Sequence, residues 1–165
     1  MADVAIGEAV HFGLASVLPY AGVGPAALSA ALGFEVVSAP VESAGDGVTL
    51  WGTGPNQWLA HTSVAAPDWA EALGKTLSGV AAVVDQSGAY AGLSISGSDA
   101  RRLLQKGLPI DLSPQVFVPG AVAVSVIAHI GVIVHHAAPG TYDLAVFRSF
   151  STSFREWLDA AVAAL

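Results

Sequence analysis

Three histidines, His129, His135 and His136, stand close together in this 165-residue chain, and their type and spacing come nearest to metal chemistry. A zinc or similar site needs three or four ligands converging from one side. A hairpin turning near His129 would bring His129 and His135 together. Between Glu71 and Asp143, however, the only acids are Asp85, Asp99 and Asp111, so the spacing favours ordinary strand and turn histidines. There is no cysteine, which excludes disulfides, thiolate zinc, iron–sulfur clusters and a cysteine nucleophile. Serine, histidine and aspartate are all present, but the elbow Gly-x-Ser-x-Gly is not. The nearest stretch, Gly92-Leu-Ser94-Ile-Ser96-Gly97, is one residue out of register. Asp85 at a strand end, Asp99 at a helix start and Asp111 in a loop each have a structural explanation, so no acid–base pair stands out. Tyr20-Ala-Gly22-Val-Gly24-Pro25 has two glycines of a dinucleotide loop, but it lacks the third and has a proline in the way. The residues therefore point to no catalytic, cofactor-binding or metal site in this chain.

The elements that would position these residues are short and mixed. Expected strands cover residues 10–18, 48–52, 57–62 and 81–85 in the first half, and 90–96, 121–128, 131–136 and 142–147 in the second. Thr53-Gly54-Pro55-Asn56 makes a turn by supplying positive φ, a fixed φ and local side-chain bonding. Residues 25–32 form an Ala-rich helix that opens on Pro25 and stops at Gly33. Pro67 opens a second helix, whose Trp69, Leu73 and Leu77 share one face. Gly97-Ser98-Asp99 starts a third, with Ser98 or Asp99 as its cap, Leu103 and Leu104 facing inward and Arg101, Arg102 and Lys106 outward. Phe150, Phe154, Trp157, Leu158, Ala161 and Leu165 form the apolar stripe of a last helix, and Ser153 and Glu156 have capping-box spacing. The pattern predicts an α+β fold in one domain over residues 1–165. It reads as two ferredoxin-like-type half-units, roughly 1–88 and 89–165, each an antiparallel sheet with helices on one face. Element order suggests an internal repeat, although no motif is shared.

Composition sets the surroundings. Apolar residues make up 53% of the chain and charged residues only 12%, and mean hydropathy is +0.61. Typical domains carry about 25% charged residues, so either the surface is rich in alanine and glycine or part of it is covered by a partner. Net charge is −7 and the one basic cluster is Arg101, Arg102 and Lys106, which argues against nucleic acid. Residues 9–34 and 116–138 lack Asp, Glu, Lys and Arg, yet their prolines, glycines and β-branched runs favour buried strands over a membrane span. The start, Met1-Ala-Asp-Val, has no basic region of a secretion signal. A cytoplasmic location without membrane attachment is the expectation.

An ordered series of motifs runs from residue 51 to residue 158. It comprises Trp51-Gly-Thr-Gly-Pro-Asn-Gln-Trp58-Leu59, Val84-Asp85-Gln86-Ser87-Gly88-Ala89-Tyr90 and Ile95-Ser96-Gly97-Ser98-Asp99-Ala100-Arg101. After these come Leu104, Gly107, Ile110-Asp111-Leu112, Phe117-x-Pro119-Gly120, Tyr142-Asp143-Leu144 and Arg148-Ser149-Phe150. In order and spacing this series resembles the gamma subunit family of heterotetrameric sarcosine oxidase. Asp85-x-Ser87 with Gly97-x-Asp99-Ala100 also resembles the wider superfamily of the glycine-cleavage T-protein, whose members bind folate between domains. The first resemblance implies an accessory chain that assembles with alpha, beta and delta subunits. FAD, FMN, NAD and folate then belong to those partners and not to this chain. The reaction implied is oxidative demethylation of sarcosine to glycine, with tetrahydrofolate taking the one-carbon unit and hydrogen peroxide as a product. The second implies the fold, and as an alternative function a stand-alone module for folate or another small molecule, with Arg148 or Arg101 on the acidic tail.

Trp51, Trp58 and Arg148 are the candidate contact residues for a partner. Trp51 and Trp58 flank the Gly54-Pro55 turn and are either core or interface anchors. Arg148 lies between an apolar strand and an apolar helix stripe, so its guanidinium needs an oxygen partner. Either a carboxylate of this chain, such as Asp85 or Asp111, or a partner subunit would supply one.

Overall fold

The computed structural model describes residues 2–9, 12–45 and 47–165. In chain order its strands and helices are β1 (Ala5–Ala9), β2 (Gly13–Pro19), α1 (Pro25–Leu32), β3 (Glu42–Ala44), β4 (Thr49–Gly54), β5 (Gln57–Thr62), α2 (Trp69–Thr76), β6 (Ala81–Asp85), β7 (Tyr90–Ser96), α3 (Ala100–Leu104), β8 (Val122–Ile127), β9 (Ile130–Ala138), β10 (Thr141–Phe147) and α4 (Ser151–Ala163). The fold is α+β, with two five-stranded antiparallel sheets. Two compact units contain them. The central unit spans His11–Gly88, and the terminal unit joins Met1–Val10 to Ala89–Leu165.

The central sheet has the order β3-β4-β5-β2-β6. Alternation puts Ala15 and Val17 of β2, Leu50 of β4 and Trp58 and Ala60 of β5 on one face. Leu28 of α1 and Leu73 and Leu77 of the α2 segment pack with them. α1 starts and stops where its sequence says. Pro25 occupies the first turn, and Gly33 takes the left-handed conformation at φ 78°, sending its N–H back to the Ser29 carbonyl. α2 begins two residues after Pro67, which lies in the preceding turn. The strand expected over 10–18 is β2, and its first two positions lie outside the described residues.

The terminal sheet has the order β1-β7-β10-β9-β8. Its core joins Leu93, Ile95, Ile127, Val132, Val134, Leu144 and Val146 from the strands to Leu103, Leu104, Phe154 and Leu158 from the helices. β1 corrects the expected division at residue 88. Ala5 through Ala9 pair antiparallel with Ser96 through Gly92 of β7, so the N-terminal strand completes the sheet of the far end of the chain. β3 is the other strand the sequence did not announce, and at three residues it is too short to show alternation.

The caps also differ from expectation. Neither Ser98 nor Asp99 makes a side-chain cap on α3, because both side chains are used by Asp3. Ser153 and Glu156 lie inside α4, which starts at Ser151 with no side-chain cap. Phe154, Leu158 and Ala161 of its stripe are buried, whereas Phe150 precedes the helix in a 3-10 turn and is 49% exposed. The basic cluster closes the other end of this helix. Arg102 donates to the Leu165 carbonyl and Lys106 to the Ala164 carbonyl, both at 2.9 Å, which pairs cations with the negative end of the helix.

The β8–β9 hairpin turns on Ala128 and His129, both left-handed at φ 49° and 67°. Two consecutive residues with positive φ are the requirement of a type I′ turn, for which asparagine and glycine are preferred. Alanine and histidine hold that conformation at a cost of roughly 1–2 kcal/mol per residue. Replacing Ala128-His129 by Asn-Gly is therefore expected to raise unfolding stability by about 1–2 kcal/mol, read as a higher urea midpoint with unchanged slope.

Candidate functional site

The motif around Trp51 and Trp58 folds into a clamp. Trp58 is 1% exposed, and its indole N–H donates to the Val37 carbonyl at 3.0 Å. Asn56, at φ 51° in the tight turn between β4 and β5, donates from its backbone N–H to the Ser38 hydroxyl and from its amide to the Val23 carbonyl, each at 3.0 Å. Gly52 donates to the Val41 carbonyl at 3.0 Å, and a Cβ there would run into the Ala39 carbonyl. The Trp-Gly-x-Gly-Pro-Asn-x-Trp series thus fastens the loop between α1 and β3 to the β4–β5 hairpin. Trp51 is 2% exposed and stacks on His61 with ring centroids 4.7 Å apart. Burial of both indoles inside this chain takes them out of reach of another subunit, which corrects their reading as interface anchors.

Arg148 is exposed, not desolvated on two sides. Its guanidinium donates to the Tyr90 carbonyl at 2.6 Å. Next to it in sequence, Phe147 stacks on Tyr90 at 4.8 Å and is 46% exposed, and Phe150 is 49% exposed. Two aromatic rings and a cation are thus exposed within the stretch 147–150.

The pieces shared with the T-protein superfamily serve local joints. Asp85 Oδ1 accepts from the Ser87 N–H at 2.8 Å and the Ser87 hydroxyl at 2.7 Å, and that hydroxyl accepts from the Leu14 N–H at 3.1 Å. Asp3 and Asp99 hold each other reciprocally. The Asp3 N–H donates to Asp99 Oδ2 at 3.0 Å and the Asp99 N–H to the Asp3 carbonyl at 3.1 Å. Asp3 Oδ2 then accepts from the N–H and hydroxyl of Ser98, at 3.0 and 2.8 Å. These bonds to Ser98 hold the Asp3 carboxyl below its ordinary pKa. Asp111 is lowered in the same way by Ser113, whose N–H donates to it at 2.8 Å.

Among the described residues, no group of three or more His, Cys, Asp or Glu is placed to hold a metal ion. His129 is on the β8–β9 turn. His135 Nδ1 lies 3.8 Å from Asp143 Oδ2, and His136 points to the opposite face of β9. His136 is 6% exposed, lies 2.7 Å from the Phe117 carbonyl through Nδ1, and stacks on Phe117 and Tyr142 at 5.9 and 4.6 Å. It borders a cavity of about 340 Å³ in the terminal unit, together with Arg101, Leu112, Pro119, Pro139 and Tyr142. Burial raises the pKa of Tyr142, and the nearby charge of Arg101 works against that shift. Nothing in the spacing of Arg101 and His136 announces that they share a cavity. A wider hollow of about 620 Å³ lies along α2 in the central unit; of its charged lining residues, Glu71 and Lys75 pair with each other at 2.8 Å and Asp85 is bonded to Ser87.

Comparison with known proteins gives three findings. The family described as "Sarcosine oxidase, gamma subunit family" matches residues 19–164. No curated protein matches the chain. Among solved structures, a chain of the heterotetrameric sarcosine oxidase from Corynebacterium sp. U-96, in complex with pyrrole 2-carboxylate, is similar at a TM-score of 0.86 and 24% identity, covering 98% of this chain and 84% of that one. The glycine cleavage system aminomethyltransferase T from Bartonella henselae is similar at a TM-score of 0.69 and 12% identity, over 95% of this chain and 45% of that one. Both likenesses establish a T-protein-like fold.

Two outcomes test the joints. Trp58→Phe keeps a six-membered aromatic ring but removes the N–H to the Val37 carbonyl and leaves a small cavity in the core, and is expected to cost about 1–3 kcal/mol or more in urea unfolding. Asp3 has a lowered folded pKa, so its contribution is present above the unfolded value and lost as pH falls through the folded one. The protection factors of β1 amides, which are exchange rates taken relative to the unprotected amide at the same pH, are therefore expected to fall below about pH 4 before those of β9 do, and Asp3→Asn is expected to remove that difference in pH response.

Proposed function

The chain belongs to the sarcosine oxidase gamma subunit family, and we propose on that ground that it is a non-catalytic, accessory subunit of a sarcosine-oxidase-type assembly. The family match over residues 19–164 carries the reading. The polar residues of the shared motifs that were followed above are engaged in loop and strand joints, which supports a role in assembly rather than chemistry. In this reading the partners are alpha, beta and delta subunits, and FAD, FMN, NAD and folate are bound there. The reaction is oxidative demethylation of sarcosine to glycine, with tetrahydrofolate as one-carbon acceptor. Hydride and electron transfer need a bound cofactor, which this proposal assigns to the larger chains. Among the described residues no helix is long and apolar enough to cross a membrane, and a cytoplasmic site of assembly is part of the proposal.

The surface proposed to meet a partner is the stretch 147–150, where Phe147, Arg148 and Phe150 are exposed. Exposed aromatic residues with an arginine are the composition of interface hot spots. Low charge content supports the same reading, since the chain has few groups to solvate an uncovered surface.

Co-expression with candidate alpha and beta chains, followed by pull-down, tests the assembly role. This chain is expected to co-purify with them, and its absence from a complex that the others form overturns the proposal. The double variant Arg148→Ala, Phe150→Ser tests the surface. The isolated variant is expected to melt within a few degrees of the parent, because both side chains are exposed, while recovery in the pull-down falls at least tenfold.

A further inference from the structure

The cavity bordered by His136 and Arg101 contains a buried hydrogen-bonding atom that the fold does not use. A carbonyl oxygen only accepts, so the 2.7 Å contact with Phe117 requires the proton on Nδ1 of His136. In the neutral ring Nε2 then carries the lone pair. Nε2 is buried and, among the described residues, has no hydrogen-bond partner. Phe117 and Tyr142 stack on the ring and the Phe117 carbonyl takes the Nδ1 edge. His136 lines the cavity, and Nε2 itself is sealed from a water-sized probe, so a ligand reaches it only as a neighbouring side chain gives way. A buried polar atom left in this way costs about 1–3 kcal/mol, and a ligand that satisfies it recovers that cost.

Arg101 supplies a second group. Of the three cations in its cluster, Arg102 and Lys106 are bound to the last carbonyls of α4. Arg101 makes no ion pair among the described residues, and it is the one charged side chain lining this cavity. Among the described residues no carboxylate lines it, and Leu112, Pro119 and Pro139 give it apolar walls. At about 30 Å³ per water, 340 Å³ holds a ligand on the order of ten heavy atoms, well short of a folate.

We propose that this cavity binds a small organic carboxylate that carries its own N–H or O–H donor, with the carboxylate on Arg101 and the donor on His136 Nε2. A guanidinium recognises a carboxylate in two-point geometry. An acceptor in the same hollow selects among carboxylates, because an acid without a donor leaves Nε2 unsatisfied. The site goes beyond the assembly role and is independent of it, so a failed pull-down leaves it standing and a failed titration leaves the assembly standing.

Titration of the full chain with glycolate and with acetate, followed by calorimetry and by the imidazole signals of His136, tests the site. Glycolate carries the hydroxyl donor and acetate does not. Glycolate is expected to bind at least tenfold more tightly than acetate, to shift the His136 ring resonances and to leave those of His129 unmoved. Arg101→Gln, at an exposed position, is expected to weaken glycolate at least tenfold without changing the melting temperature. No saturable binding of glycolate up to about 100 mM, equal binding of the two acids, or full binding by Arg101→Gln each overturns the proposal. His136→Phe is expected to abolish the preference for glycolate. If that variant does not fold, the resonance shift in the parent protein decides the role of His136 alone.

Discussion

The carboxylate of Asp3 takes the N–H and the hydroxyl of Ser98, and Asp99 takes the N–H of Asp3 in return. This clip joins the start of the chain to a turn some ninety-five residues away, and much of the terminal unit follows from it. It sets the register in which β1 lies along β7. It also fixes where α3 begins, and so which of its residues face inward. With that start, Leu103 and Leu104 enter the core, Arg102 and Lys106 reach the end of α4, and Arg101 comes to the cavity. Gly97 is required at the same joint. Its φ is +123°, and a Cβ would collide with the Asp3 carbonyl.

The same device recurs because the chain has little else to work with. Six basic and thirteen acidic side chains serve 165 residues. Ser29 accepts from Val36 N–H at 2.8 Å, Ser43 from Val37 N–H at 3.2 Å, and Ser87 and Asn56 close their own joints. Short polar side chains lose less rotamer entropy on fixing than long ones. They also satisfy backbone groups that would otherwise cost free energy when buried. Surface ion pairs contribute little by comparison. Glu71 with Lys75 and Arg155 with Asp159 are well exposed on helix surfaces, where such pairs contribute about 0.3–0.5 kcal/mol.

Legibility followed the range of the interactions. α1, β5, β6 and β7 lie where the sequence placed them, because a proline, a glycine or a β-branched run near each one sets its ends. β1 was missed because Ala-Ile-Gly-Glu-Ala has no strand signal of its own and depends on its pairing with β7. Ser98 and Asp99 looked like caps because their types fit a helix start, but a partner far away in sequence engages both. Phe150 fits the helical period of α4, yet the chain enters that helix through a 3-10 turn that carries the ring outward. The tryptophans were ambiguous because an indole beside a turn suits a core or an interface equally. The N–H bond to Val37 that identifies Trp58 as a clamp lies in tertiary structure alone. Arg101 and His136 line one cavity whose wall includes Leu112, Pro114 and Pro119, and no periodicity encodes that.

Residues that announce the family in the sequence therefore differ in kind from residues that can bind something. The quoted motifs followed through the structure are turns, clips and clamps that close loops and strand ends. The likeness to an aminomethyltransferase at 12% identity is a likeness of fold. Function on such a scaffold has to be argued from groups that the fold leaves over. Among the described residues such groups include the exposed rings of Phe147 and Phe150 and the buried His136 Nε2, in a residue that lines a cavity with Arg101. The first has the composition of a contact between proteins. The second borders a cavity of about 340 Å³ with a cation and apolar walls, a size that suits a small molecule.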